Sequence, residues 1–144
     1  MFRMIVGILV AMVLALPARA ETIGMVKTVS GDAAILRDGQ KLATAPGLKL
    51  ERKDQVVTGA DGRLGFTLKD DTTISVGPKT VMALDEFDFQ PAADKMGLLA
   101  SMSRGTMLMT TGAIAKLSPE KVGVLTKTGT IGVRGTRFLV QADE

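Results

Sequence analysis

Histidine and cysteine are both missing from this chain. Most nucleophile–base pairs and most transition-metal sites are assembled from those two side chains. What remains for nucleophilic chemistry is a serine activated by a lysine. Ser75, Ser101, Ser103 and Ser118 are available, but their spacing singles none of them out, and an activated hydroxyl depends on a placed base. Carboxylates cluster at Asp70-Asp71 and at Asp85-Glu86-Phe87-Asp88. General acid–base work needs one carboxyl held in an apolar pocket. The first pair falls in a turn, and neighbours on a strand point to opposite faces, so solvated turn and edge positions are expected for both groups. Glu86 and Asp88 would give calcium two ligands, where the ion takes about six to eight. These residues predict a protein that is not an enzyme and holds no metal.

Other patterns point the same way. Gly129, Gly132 and Gly135 recur every third residue, which is not the spacing of a dinucleotide fingerprint, and no helix follows to face a phosphate. Strand corners account for them. Met96, Met102, Met107 and Met109 read as adaptable core filling, with a soft partner surface or copper(I) ligation as the sharper alternative. Phe66, Phe87, Phe89 and Phe138 all sit in apolar patterns. Tyrosine and tryptophan are absent, so the exposed rings used for sugar stacking or for single-stranded nucleic acid are lacking. No cofactor is expected. Two of the 18 basic residues, Arg3 and Arg19, lie in the first twenty, leaving 16 against 15 acidic ones. That balance gives no electrostatic case for nucleic acid or an anionic membrane.

The elements that position these residues begin after a leader. Arg3, the apolar run Met4 to Leu16, Pro17 and Ala18-Arg19-Ala20 have the form of a signal peptide cleaved after Ala20. The run falls short of the roughly 20 residues that span a bilayer. Residues 1–20 are therefore expected to leave, with no stable membrane insertion afterwards, and residues 21–144 to form one domain that is periplasmic or secreted. Without cysteine, packing and backbone pairing must hold that domain together.

From Thr22 onward the period is two. Leu64, Phe66 and Leu68 alternate with Arg63, Gly65, Thr67 and Lys69, and Ile74 and Val76 resume the pattern after Asp70-Asp71, as in two strands around an acidic turn. Ile23–Val29, Ala33–Arg37, Val81–Phe89, Val122–Thr126, Thr130–Val133 and Thr136–Gln141 read as further strands. Lys95–Met102 and Thr106–Thr111 read as a pair around Arg104-Gly105. Asp38-Gly39 is a hairpin dipeptide, while Gly31-Asp32, Pro46-Gly47, Asp61-Gly62 and Gly77-Pro78 mark other corners. Only Ala113–Leu117 and Ala92–Leu99 have any helical character. Many short strands between turns predict an all-β fold, β-solenoid-like or a twisted β-sandwich.

Three segments carry a resemblance. Lys53-Asp54-Gln55-Val56-Val57-Thr58-Gly59 with Asp61-Gly62-Arg63-Leu64-Gly65-Phe66-Thr67-Leu68, then Ser103-Arg104-Gly105-Thr106, then Ile131-Gly132-Val133-Arg134-Gly135-Thr136-Arg137-Phe138-Leu139-Val140, resemble the FecR domain. The Arg-Gly-Thr-x-Phe segment is the most specific part. The likeness extends over nearly all of residues 21–144. It implies an extracytoplasmic β-rich domain, which in full-length sigma-factor regulators helps relay a transport-receptor signal. This sequence shows no cytoplasmic helical segment before the domain and no receptor-docking segment after it, so a free-standing module is expected. The motif residues Asp54, Thr58, Gly59, Gly105, Arg134, Gly135, Thr136 and Phe138 are expected to be structural. Gly135 would make a bulge or close approach within a strand, and Arg134 would be tied down by Asp54. A second reading makes Arg134 the anchor for an acidic ligand.

The function expected is an interaction or scaffold module of the cell envelope. It would bind an envelope protein, or a second copy of itself, through exposed strand edges, with Lys49, Glu51, Arg52, Lys53 and Asp54 protecting one rim. The alternative is a small-ligand or glycan-binding envelope protein.

Overall fold

The computed structural model describes residues 21–133 and 135–143. Residues 1–20, where a leader cleaved after Ala20 was expected, and Arg134 lie outside the described residues.

Alternation becomes strand wherever it occurs. Twelve strands are described: β1 (Thr22–Ser30), β2 (Ala33–Arg37), β3 (Gln40–Ala43), β4 (Lys49–Glu51), β5 (Gln55–Thr58), β6 (Arg63–Leu68), β7 (Thr73–Val76), β8 (Val81–Gln90), β9 (Lys95–Thr110), β10 (Val122–Thr126), β11 (Gly129–Gly132) and β12 (Arg137–Ala142). One short helix, α1 (Ala113–Leu117), precedes Pro119. Asp38 and Gly39 have φ of 51° and 78°, the left-handed pair that a two-residue hairpin turn demands, and they join β2 to β3.

The strands form one sheet in the order β3-β2-β5-β8-β9-β7-β6-β1-β4. On the edge of β9 away from β8 and β7 lie β10 and β12, and β11 lies outside β10. Much of this order comes from long strands that bend. β1 runs into β2 at Gly31-Asp32, β5 into β6 at residues 59–62, and β7 into β8 at residues 77–80. The register continues across each bend, so Ser30 faces Arg63 and Ala33 faces Thr58. The bends are neighbours: Gly59 N donates to Asp32 O at 2.8 Å, Thr58 N to Thr80 O at 2.9 Å, and Gly77 N to Thr106 O at 3.0 Å. They make a single line across the sheet, along which it curls into an open half-barrel.

Curling brings two inner faces around one core that includes Val26, Ile35, Phe66, Leu84, Met107 and Val124. Keeping both faces inward requires a change of parity. The buried positions of β9 are Leu98, Ala100 and Met102 before the line, then Met107 and Met109 after it. The odd residue is Ser103, left over where the β8 register shifts between Met102 and Arg104, and Gly105 follows it with φ at 103°, a value that costs glycine little. β8 makes the same change at a bulge between Leu84 and Glu86, so Phe87 and Phe89 turn toward the core.

Two expectations are corrected here, and one ambiguous stretch, Ala92–Leu99, is resolved. Lys95–Met102 and Thr106–Thr111 are not a hairpin but parts of one 16-residue strand. A reversal needs two turn residues, whereas the register shift at Ser103 supplies one bulge, and β8 and β7 line up end to end beside it. Ala92–Leu99 is a 3-10 turn over Pro91–Ala93 followed by the start of β9. The all-β class holds, but every strand pairing except β9–β10 is antiparallel, unlike the stacked parallel coils of a solenoid. Strands bending through a common line join what would otherwise be the two sheets of a sandwich.

Candidate functional site

The bend line is where three of the singled-out residues meet. Thr58, the last residue of β5, is buried. Its Oγ1 donates to Gly77 O at 2.6 Å and accepts from Thr80 N at 2.9 Å. Thr80, also buried, repeats the arrangement one strand further: its Oγ1 donates to Gly77 O at 2.9 Å and accepts from Thr106 N at 3.1 Å. Backbone groups that leave the regular ladder at a bend must find other partners, and two hydroxyls supply them. Beside them, a Cβ on Gly59 would sit 2.6 Å from Asp32 Oδ2, and one on Gly105 would fall on the Thr80 backbone. The glycines let the corners close together.

These corners wall a polar cleft of about 620 Å³ whose lining includes Thr58, Gly59, Lys79, Arg104, Gln141 and Asp143. Two cations and one carboxylate face a space large enough for a small polar molecule.

Asp54 is 1% exposed, so it does not belong to the charged rim expected around it. Its carboxylate accepts from Arg37 Nε at 2.9 Å, Arg37 Nη2 at 2.7 Å and Glu51 N at 2.9 Å. Arg37 Nη2 also donates to Lys49 O at 3.0 Å. The hydrogen bond to Asp54, opposed by partial desolvation and helped by the charges of Asp54 and Glu51, raises the Arg37 pKa. The partner expected for Asp54 was Arg134, which lies outside the described residues. Arg37 was missed, although a signal existed: Leu36 pairs with Gln55, so the same antiparallel register sets Arg37 opposite Asp54.

The closing segment is a strand, as expected, with β12 paired along the second half of β9. Phe138 packs against the core and Val140 is buried, while Leu139 points out. Gly135 differs from expectation. It lies in the connection between β11 and β12 at φ 98°, and nothing approaches within 4 Å of where its Cβ would be. Its role is conformational, not a close approach inside a strand. The carbonyl of Thr136 accepts from Thr111 N at 2.8 Å, which starts the β12–β9 ladder.

Asp70 corrects the reading of the acidic turn. It is buried, and its carboxylate accepts from Thr72 N at 3.1 Å, Thr72 Oγ1 at 2.8 Å and Ile114 N at 3.2 Å. The β6–β7 turn thereby fastens α1 to the sheet. Asp88 accepts from Arg52 Nη2 at 2.8 Å. Met102, Met107 and Met109 are buried, which is core filling. Among the described residues no group of acidic side chains has the arrangement of a metal site, and no helix is long and apolar enough to cross a membrane.

The class so defined is an all-β half-barrel clamped at its corners by threonines and glycines. The FecR protein family matches residues 54–144, and the chain belongs to that family. The match takes in β5 to β12 and leaves residues 21–53 outside it, a shorter reach than the sequence likeness suggested. Comparison with the curated proteins and with the solved structures finds no match.

Proposed function

We propose that this FecR-family chain is a non-enzymatic, extracytoplasmic interaction module of the cell envelope, related to signalling and docking through its sheet edges. Family membership and the form of residues 1–20 support the location. The observation that carries the docking role is the contrast among edges. β3 and β4 carry Lys41, Lys49 and Glu51, charges that discourage pairing. β11 and β12 end the other side of the sheet with Ile131 and Leu139 exposed. An extended segment can add to such an edge through main-chain hydrogen bonds. A fusion of residues 1–20 to an alkaline phosphatase lacking its own leader tests the location, which requires activity outside the cytoplasm. Affinity capture from envelope extract tests the role: a stoichiometric protein partner, lost with Leu139→Lys and Ile131→Lys, is expected. Failure to capture any such partner would refute docking of a different protein.

The cleft on the bend line favours a second reading, a small-ligand or glycan-binding envelope protein. Lys79 and Arg104 suit an acidic ligand. Titration with glucuronate, followed by amide shifts at Gly59, Lys79 and Gly105, decides it; unmoved signals at millimolar ligand would remove it.

A further inference from the structure

Four strands end the sheet among the described residues, and β12 differs from the rest. β4 has three residues, two of them charged, and is followed by Arg52-Lys53. β11 has four and is bounded by glycines. β12 has six, with Phe138-Leu139-Val140 at its centre and no charge between Arg137 and Asp143. One side of β12 pairs with β9, and no described strand pairs with the other.

Hydrogen-bond directions fix what that free side offers. Thr111 N donates to Thr136 O at 2.8 Å, and this pair continues the register in which Arg137 faces Thr110. Directly opposite residues that exchange bonds alternate with pairs that do not. Residues 136, 138, 140 and 142 therefore turn their backbone groups toward β9, and residues 137, 139, 141 and 143 turn theirs outward. The other edge of β9 agrees, because Gly77 N donates to Thr106 O, leaving the odd residues of β9 for β12.

We propose that β12 is a self-association strand: two copies of this chain pair antiparallel through their β12 edges, about a twofold axis at Val140. This rests on the reading of the chain as an edge-docking module and names the partner. With that centre, Leu139 faces Gln141 of the second copy, and Arg137 faces Asp143. All four are residues whose backbone groups point outward, so each donates one bond and accepts one across the interface. Arg137, Leu139, Gln141 and Asp143 are also exposed, Leu139 at 64%. On the core side Phe138 faces Ala142, and Val140 faces its own copy. The charge pattern selects a second copy rather than an unrelated strand: Arg137 and Asp143 lie at opposite ends, so antiparallel self-pairing matches unlike charges twice. Parallel pairing would set like charges together. An isologous contact of this kind closes on itself, giving a dimer instead of a fibre.

Sedimentation equilibrium of the purified protein tests the pairing. A reversible dimer is expected. Arg137→Glu places like charges at both ends and weakens association by about tenfold. Asp143→Arg does the same, and the two together restore it to near the original value. Gln141→Pro removes an outward N–H that the β9 ladder does not use, and abolishes the dimer while the urea midpoint stays near that of the parent. A monomer at all concentrations up to millimolar, or a dimer that ignores all four variants, would overturn the proposal. Docking of a different protein stands or falls separately on capture: a monomer that still binds an envelope protein through Leu139 refutes only self-pairing.

Discussion

At the scale of single residues, two buried threonines, one of them the motif residue Thr58, act on the backbone. Thr58 and Thr80 each offer a hydroxyl that both donates and accepts inside the bend. Thr58→Val keeps the volume and removes the hydroxyl, leaving Thr80 N without its partner in a buried site. A cost of about 1–3 kcal/mol is expected, read as a lower urea midpoint. Thr130→Val on the exposed face of β11 serves as the control and stays within about 0.5 kcal/mol. The Arg37–Asp54 fork makes a second claim. Lysine cannot grip both carboxylate oxygens and the Lys49 carbonyl at once, so Arg37→Lys costs about 1 kcal/mol in the same assay. Its pH dependence has a definite sign. A cation whose pKa rises on folding contributes fully below its unfolded value, and loses that contribution only as pH climbs through the folded one. For Arg37, raised chiefly by the hydrogen bond to Asp54, that loss falls in strong alkali. The stability difference between the parent protein and the Arg37→Lys variant should therefore stay flat from mildly acidic pH to neutrality.

At the scale of elements, glycine position decides what a substitution does. Gly105 and Gly135 share positive φ values of 103° and 98°, yet only Gly105 is pressed against backbone. Alanine at either place meets the left-handed penalty of about 1–2 kcal/mol. At position 105 it must also displace Thr80, so Gly105→Ala should cost about 3 kcal/mol or more, while Gly135→Ala stays near 1–2 kcal/mol. Equal effects on thermal unfolding would mean that the bend is looser than described. The same pair shows what the sequence could convey. Period-two alternation located β6, β7, β8 and β12 nearly to the residue, and Asp38-Gly39 announced its hairpin. Alternation could not tell a bulge from a reversal at Arg104-Gly105, because both break the period by one residue. The difference lies in β8 and β7 standing end to end alongside, a long-range fact. The short edge strands β3 and β4 have no alternation long enough to read. Asp70 looked like a solvated turn residue since its partner, Ile114 N, lies 44 positions away.

At the scale of the molecule, the bend line and the shared core make the two curled halves one cooperative unit. β5–β6, β7–β8 and β1–β2 each cross the line, and β9 passes through it unbroken. Phe66 on one side and Leu84 on the other belong to the same buried cluster. Neither half can open without exposing the other's inner face, so both should exchange their amides through a common global unfolding. The amides of Met107 and Met109, in buried residues flanked by strands on both sides, should be among the slowest. Those of β3 and β11, at the margins, should exchange by local fraying. Phe66→Ala and Leu84→Ala each remove core volume worth about 2–5 kcal/mol. If the halves are coupled through the bend, either substitution lowers the slow amides of both by the same amount. Should Leu84→Ala accelerate exchange around β8 while Met109 keeps its protection, the bend would be a hinge between independent sheets, and the threonine clamp at Thr58 and Thr80 would be a local device without reach across the fold.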